Sequence, residues 1–563
     1  MTASGRPIVV RRRLDTAAVV TAAALGMLIA RAIEAWALRD TPHVMDELAY
    51  ALQARTFATG HLVAALRVPH AAFAMWFVDD RTSTYSIFPP GWPAVLALGE
   101  AMGARTWVGP ALHGVATLLL SSAAGRLAGE RTRVIAAWVY ALCPQALLLA
   151  ASLMSHALVA ACAAAMLAGC VASRRRAWGA LVAGTAIGVA LLARPACAAA
   201  LASGCAAFAV MAARRGNVGA GRVVALLSPV VVAVLLLGAY NRALTGHATR
   251  FPQSAWFDEH APPLDDPNFR YAPGCNDLGF GPTHGCDYGI RNASHDARNA
   301  LSNTGDNLRS WMLLAPGGPL ALVAAAYALA RRRGRSRLAA VGVPIVAVIV
   351  LYATYWYAGT CYGARFYHGA LPSLALLACI GWVRARTRWP RAAAGCVLVA
   401  AAFSTVAALA ASREVSRDYW GTDDRFARAA RDWNHGRALA LVAFTNDALP
   451  DRPSYRWTSF LREAEWRNTV RANAAIGVDS PDLAGDSVVF AKYHPALVGE
   501  LRARFPDRAL WLYVVEDDDA RGDLVVPLDG SPLASWHADA PRPPDNFDAF
   551  VIPPGVQREL HAR

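Results

Sequence analysis

From the N-terminus to about residue 412 the chain alternates long apolar stretches with short arginine clusters. A helix that crosses a bilayer needs about 20 mostly apolar residues. Segments of that kind occur near 16–38, 106–128, 132–151, 153–173, 177–194, 195–213, 221–241, 311–331, 338–358, 364–383 and 391–412. The pattern predicts a polytopic α-helical membrane domain over residues 1–412 with about eleven transmembrane helices. The first segment follows Arg11, Arg12 and Arg13. It is longer than a signal-peptide core and no small-residue cleavage site follows it, so it is read as a retained helix. The shorter apolar piece 91–103 is read as a re-entrant or surface helix. Beyond residue 412 helical patterns alternate with β-rich runs at Leu439-Phe444, Val488-Ala491, Leu510-Val515 and Phe550-Ile552. These predict a small α/β domain over 413–563.

The arginine clusters orient the chain. They fall at 126–133, 174–176, 214–222, 331–337 and 384–391. With a cytoplasmic N-terminus and eleven helices, every cluster lands on the cytoplasmic side. A first loop at 39–105, a second at 242–310 and the tail from 413 are then exported. The reading is a multi-pass protein of a bacterial inner membrane with a periplasmic C-terminal domain. No repeat of fixed period and no inverted halves are visible.

Composition narrows the classes. The chain is 55% hydrophobic and 17% charged, with a mean hydropathy of +0.28, against about 25% charged residues in soluble proteins. Disorder, a soluble enzyme and a small disulfide scaffold are excluded. Residues 413–563 carry 19 Lys+Arg and 24 Asp+Glu, a net of −5, so the whole-chain +14 leaves +19 before them. Basic groups placed between apolar spans are orientation signals rather than a phosphate-backbone face, and no nucleic acid partner is expected. Eight of ten cysteines lie in or beside apolar spans, where a small hydrophobe is the reading. Cys275 and Cys286 sit instead in the polar second loop and are predicted to form an exported disulfide. A zinc site with His284 would lack two more well-spaced ligands.

Candidate chemistry gathers at the predicted exported face. Asp46 and Glu47 follow the first helix in His43-Val-Met-Asp-Glu-Leu-Ala-Tyr50. Adjacent acids there suit a general base or a divalent metal ligand pair. The structural alternative is an N-cap for a surface helix over 47–58, which needs one acid only. His156 opens the fourth span, Arg194 lies between the fifth and sixth, and Arg365 opens the tenth. Polar residues at helix ends often snorkel. With Asp46 on the same face, these three describe a cavity with acids, a histidine and two arginines, and arginine suits a phosphate clamp. Arg31 and Glu34, one turn apart, read as a structural ion pair. Asp79-Asp80-Arg81 precedes Tyr85-Ser-Ile-Phe-Pro-Pro-Gly-Trp92, an aromatic and Pro-rich segment that lines an acceptor groove or anchors at the interface. The acidic run 516–519 reads as a solvated loop.

The order of motifs resembles a family. An apolar first helix leads to Asp46-Glu-x-x-Tyr50 and a helix ending Thr59-Gly60. Phe88-Pro-Pro-Gly-Trp-Pro93, Ala193-Arg-Pro195, Asn241-x-x-x-Thr-Gly246 and Gly363-Ala-Arg-Phe-Tyr367 follow. Over roughly residues 15–410 this is similar to the integral-membrane GT-C glycosyltransferases, near the protein O-mannosyltransferase and aminoarabinose transferase branch; the tail is unmatched. The resemblance implies transfer of a hexosyl or pentosyl group from a polyprenyl-phosphate donor to a glycan, lipid or protein acceptor at the exported face. It implies that Asp46 is the catalytic base or a metal ligand, with Glu47 in support. Arg365, helped by Arg194, would hold the donor phosphate. Relatives often carry an acid where this chain has Ser155-His156, which makes His156 the catalytic candidate at that turn and leaves the divalent metal open. Tyr50, Tyr85, Trp92 and Tyr362 are the expected acceptor or donor groove. The competing class is a lipid-linked sugar flippase or small-solute transporter, whose charges would sit near mid-membrane. A third is an assembly or receptor protein anchored by its spans, for which one span would suffice.

Overall fold

The computed structural model describes residues 5–173, 176–214, 219–259, 295–331, 334–416, 419–445 and 464–516, with shorter stretches between and after them. It divides into two compact units. One comprises Met1–Ala37, Pro89–Val95 and Ala104–Glu414; the other comprises Leu38–Phe88, Leu96–Gly103 and Val415–Arg563. The first loop thus groups mainly with the tail, although about 330 residues of sequence separate them.

Each expected apolar segment of the first unit carries helix, but not every one is a span. Among the described residues, eight helices are long and apolar enough to cross a membrane, and up to ten if each of two bent pairs counts once. That is fewer than the eleven expected, for local reasons. Trp178–Ala193 has 16 residues, about 24 Å at the α-helical rise, short of a bilayer core of about 30 Å. The run near 311–331 is split into Ala297–Leu314 and Pro319–Ala330, bent by 97°. Gly317 and Gly318 take φ of 83° and 56° there, values that favour glycine and end a helix. The run near 132–151 is split into Glu130–Ala141 and Pro144–Ala151, bent by 54°, where Pro144 has no N–H to continue the ladder.

Burial separates central from peripheral helices. Most of the apolar stretch of Arg365–Arg388 and of His156–Ser173 is buried, whereas most of that of Ala220–Thr245 is not. Helices of this unit approach closely where a contact residue is glycine. A Cβ on Gly381 would collide with the Ala324 carbonyl, and one on Gly184 with the Leu226 carbonyl. Lipid tails supply no hydrophobic drive between helices, so this backbone-level contact is what packs them.

The second unit is built on a sheet. Two short strands of the first loop, β1 (Val78–Asp79) and β2 (Tyr85–Ser86), pair antiparallel. The tail supplies β3 (Ala438–Thr445), β4 (Val488–Lys492), β5 (Ala509–Val515), β6 (Leu524–Pro527) and β7 (Val551–Ile552). Their order is β4–β3–β5–β6, with β7 also on β3. β3 is parallel to β4, β5 and β7, and β6 is antiparallel to β5. All eight residues of β3 are buried, as a central parallel strand covered on both faces requires. β3, β4, β5 and β7 match the four β-rich runs of the sequence to within two residues; β6 had no such signal.

Arginines of the first loop bond the tail at and just beyond the end of one helix. Arg55 donates from Nη1 to the Val478 carbonyl (3.0 Å) and from Nη2 to that of Gly477 (2.6 Å). These are terminal carbonyls of the helix Ala464–Val478, where a cation also meets the negative end of the helix dipole. Arg67 donates to the Ser480 carbonyl (2.8 Å), and the Trp76 N–H donates to Asn473 Oδ1 (2.7 Å).

Candidate functional site

Three turns of the first unit carry the charged candidates. His156 opens the helix His156–Ser173 after the turn 152–155. Arg194 joins two helices with extended backbone, φ −152° and ψ 90°, the conformation a residue before proline prefers. Arg365 begins a 3₁₀ turn, Arg365–Ala370, two residues after Gly363, whose φ is +88°. The chain reverses there within a few residues, and a Cβ on Gly363 would meet Leu314 Cδ1 at 2.7 Å.

The structure brings these three residues together. The Arg194 and Arg365 guanidiniums lie 5.4 and 5.1 Å from the centroid of one ring, Phe366. Arg365 also lies 5.9 Å from the Tyr357 ring. Phe366 stacks on Tyr352 at 4.7 Å and 2°, and Tyr352 Oη contacts Cys197 Sγ at 3.1 Å. Arg194 Nη1 donates to Ser155 Oγ (3.3 Å). His156 is buried within electrostatic range of Arg194, Arg365 and His368. Neither of its ring nitrogens has a hydrogen-bond partner among the described residues. Arg365 is itself 6% exposed. The two guanidiniums near this ring make the corner cationic, and an arginine suits a phosphate.

Gln145, at the start of the helix Pro144–Ala151, donates from Nε2 to the Ala364 carbonyl (2.7 Å) and so ties down the Arg365 turn. This residue, Phe366, Tyr352, Tyr357 and His368 were not singled out by sequence. The run Tyr352-Ala-Thr-Tyr-Trp-Tyr357 at the end of a span was the available signal, since aromatics concentrate where helices leave the bilayer.

The remaining candidates divide. Trp92 and Tyr362 belong to the first unit. Trp92 is fully buried, with Nε1 donating to the Leu153 carbonyl (2.6 Å). Tyr362 is buried with φ +53°. Asp46, Glu47, Tyr50 and Tyr85 belong to the second unit. The helix Met45–Ala58 begins there, and it is largely buried rather than a surface helix. Glu47 Oε2 accepts from the backbone N–H of His43 (2.7 Å) and Val44 (3.1 Å). The capping role therefore falls to Glu47, and half-buried Asp46 keeps a different environment. Tyr50 packs on Phe88 at 4.7 Å. Tyr85 is buried, and burial with the nearby Asp79 carboxylate pushes its phenol up to about 12. Asp79 pairs with Arg81 at 2.5 Å.

Among the described residues, no group of three or more His, Cys, Asp and Glu is placed to hold a metal ion. Glu47 Oε2 is engaged by two backbone donors. Cys275 is disulfide-bonded; its expected partner, Cys286, lies outside the described residues.

No family model matches the sequence, and no curated protein matches it. Solved structures do. ArnT from Cupriavidus metallidurans bound to undecaprenyl phosphate superposes with a TM-score of 0.51 at 14% identity, over 88% of this chain and 92% of that one. The Archaeoglobus fulgidus oligosaccharyltransferase in complex with Zn and sulfate gives 0.45 at 13%, over 87% and 67%. The chain has the GT-C fold, with a small sheet region near its C-terminus.

Proposed function

We propose that the chain is a membrane glycosyltransferase that takes a sugar from a polyprenyl-phosphate donor and passes it to an acceptor at the exported face. The observation that carries this is the pair of guanidiniums gathered on Phe366 beside a buried imidazole with both nitrogens unengaged. The fold shared with a transferase bound to undecaprenyl phosphate supports it.

The chemistry follows from charge. A glycosyl phosphate diester carries one negative charge; when the anomeric carbon leaves, the lipid phosphate carries a second. Arg365 and Arg194 hold that phosphate and stabilise the developing charge in a site of low dielectric, where fixed donors act most strongly. His156 gives its N–H to a phosphate oxygen. The acceptor hydroxyl oxygen bonds to the anomeric carbon as the carbon–phosphate oxygen bond breaks. Its proton goes to the Asp46 carboxylate, and polyprenyl phosphate departs. The α/β unit is the part that would meet the acceptor.

The test is equilibrium binding of undecaprenyl phosphate and of uncharged undecaprenol to the purified full chain. The wild type binds the phosphate far more tightly than the alcohol. Arg365→Ala loses about 100-fold of phosphate affinity, roughly 3 kcal/mol, as removing one partner of a buried charge pair does. Equal binding of phosphate and alcohol by the wild type would overturn the reading.

A further inference from the structure

The segment Phe88-Pro-Pro-Gly-Trp92 reads in the sequence as a groove wall, yet Trp92 is fully buried. Its surroundings assign it other work. Gly91 sits against the backbone end of the helix Trp178–Ala193: a Cβ there would meet the Leu192 carbonyl carbon at 2.7 Å and its oxygen at 2.8 Å. Only glycine allows this approach. Leu192 is two residues before Arg194. The next residue, Trp92, donates from Nε1 to the Leu153 carbonyl at 2.6 Å, three residues before His156. The two turns that Gly91 and Trp92 touch are in turn joined by Arg194 Nη1 and Ser155 Oγ at 3.3 Å. Three short links therefore close a triangle between residues 91–92, 152–156 and 192–194.

We infer that Gly91 and Trp92 are positioning residues that fix Arg194 and His156 relative to each other in the phosphate-binding arrangement. This rests on the reading of that arrangement as a lipid-phosphate clamp. A flat indole is well shaped for this role. It spans the gap between two turns, it has one N–H with a fixed direction, and it loses little side-chain freedom on burial. Leu153 lies before the helix His156–Ser173, in the turn that leads to His156, so the indole bond anchors that turn directly. Loss of the N–H loosens the turn that bears Ser155, and Ser155 is what Arg194 leans on. A misplacement of about 1 Å in such a site is enough to cost a large factor in binding or rate.

Trp92→Phe keeps an aromatic ring in the space and deletes the donor along with part of the indole's volume. In the full chain, its dissociation constant for undecaprenyl phosphate rises about tenfold, while the affinity for undecaprenol stays unchanged. Ser155→Ala produces a similar rise. The double variant falls well short of the product of the two, because both open the same triangle. A purely structural role would lower the folded fraction and the melting temperature but leave the dissociation constant of the folded molecules at the wild-type value; that result overturns the inference. Should Trp92→Phe not fold, Ser155→Ala and Gly91→Ala carry the test, and wild-type affinity in both overturns it. A wild type that does not distinguish phosphate from alcohol defeats the underlying reading instead, so the two failures are separable.

Discussion

Asp46 and Glu47 are chemically alike and adjacent, and the structure gives them different work. Glu47 satisfies two backbone donors at the start of its helix; Asp46 is half-buried beside it. Asp46→Asn should leave the melting temperature within a degree or two while abolishing transfer. Glu47→Ala should cost roughly 1 kcal/mol of stability, the usual loss on removing a cap, read as a lower melting temperature. An acid pair near a helix start is visible in a sequence; which acid caps and which remains is not, because that depends on where the helix begins. Here it begins at Met45, two residues before the expected surface helix. Asp479 is a second case that sequence could not announce. It is buried, its Oδ1 accepts from the Phe490 N–H (3.0 Å), and burial pushes its carboxyl up to about 8 against the pull of Arg67. The unfolded chain releases this proton near pH 4, so between about pH 4 and 8 the folded state holds a proton the unfolded state lacks. Stability therefore falls as pH rises through that window and levels off above it. Thermal unfolding at pH 5 and pH 8 should show the decline in the wild type and a smaller one in Asp479→Asn.

At the scale of elements, hydropathy located the helices and missed their breaks. Length and apolar content determine whether a segment crosses a bilayer, and both are written along the chain. The bend at Gly317 and Gly318 and the shortness of Trp178–Ala193 depend on backbone conformation and helix ends, which hydropathy averages away. The charged turns were legible for a related reason: Arg194 and Arg365 are isolated charges at the ends of apolar runs. The aromatic floor beneath them was not, because tyrosine and phenylalanine near a membrane surface are common. Arg55 is the element-scale cap of the tail helix Ala464–Val478. Arg55→Ala removes two charge-assisted hydrogen bonds and should destabilise the α/β unit by about 2 kcal/mol, seen as faster proteolysis of the tail in the full chain.

For the whole molecule, the sequence divides in chain order and the structure does not. Residues 38–88 and 415–563 form one compact unit, joined by Arg55, Arg67 and the Trp76–Asn473 bond. A tail expressed alone as 415–563 should therefore unfold without a cooperative transition. The same tail linked flexibly to 38–88 should show one by circular dichroism. The decisive measurement is sugar release from a panel of polyprenyl-phosphate sugars by the purified chain and its Asp46→Asn variant. Donor consumption by the wild type, and none by the variant at equal binding of undecaprenyl phosphate, is the predicted result. Equal consumption by both forms, or none by the wild type on a broad panel, would contradict it.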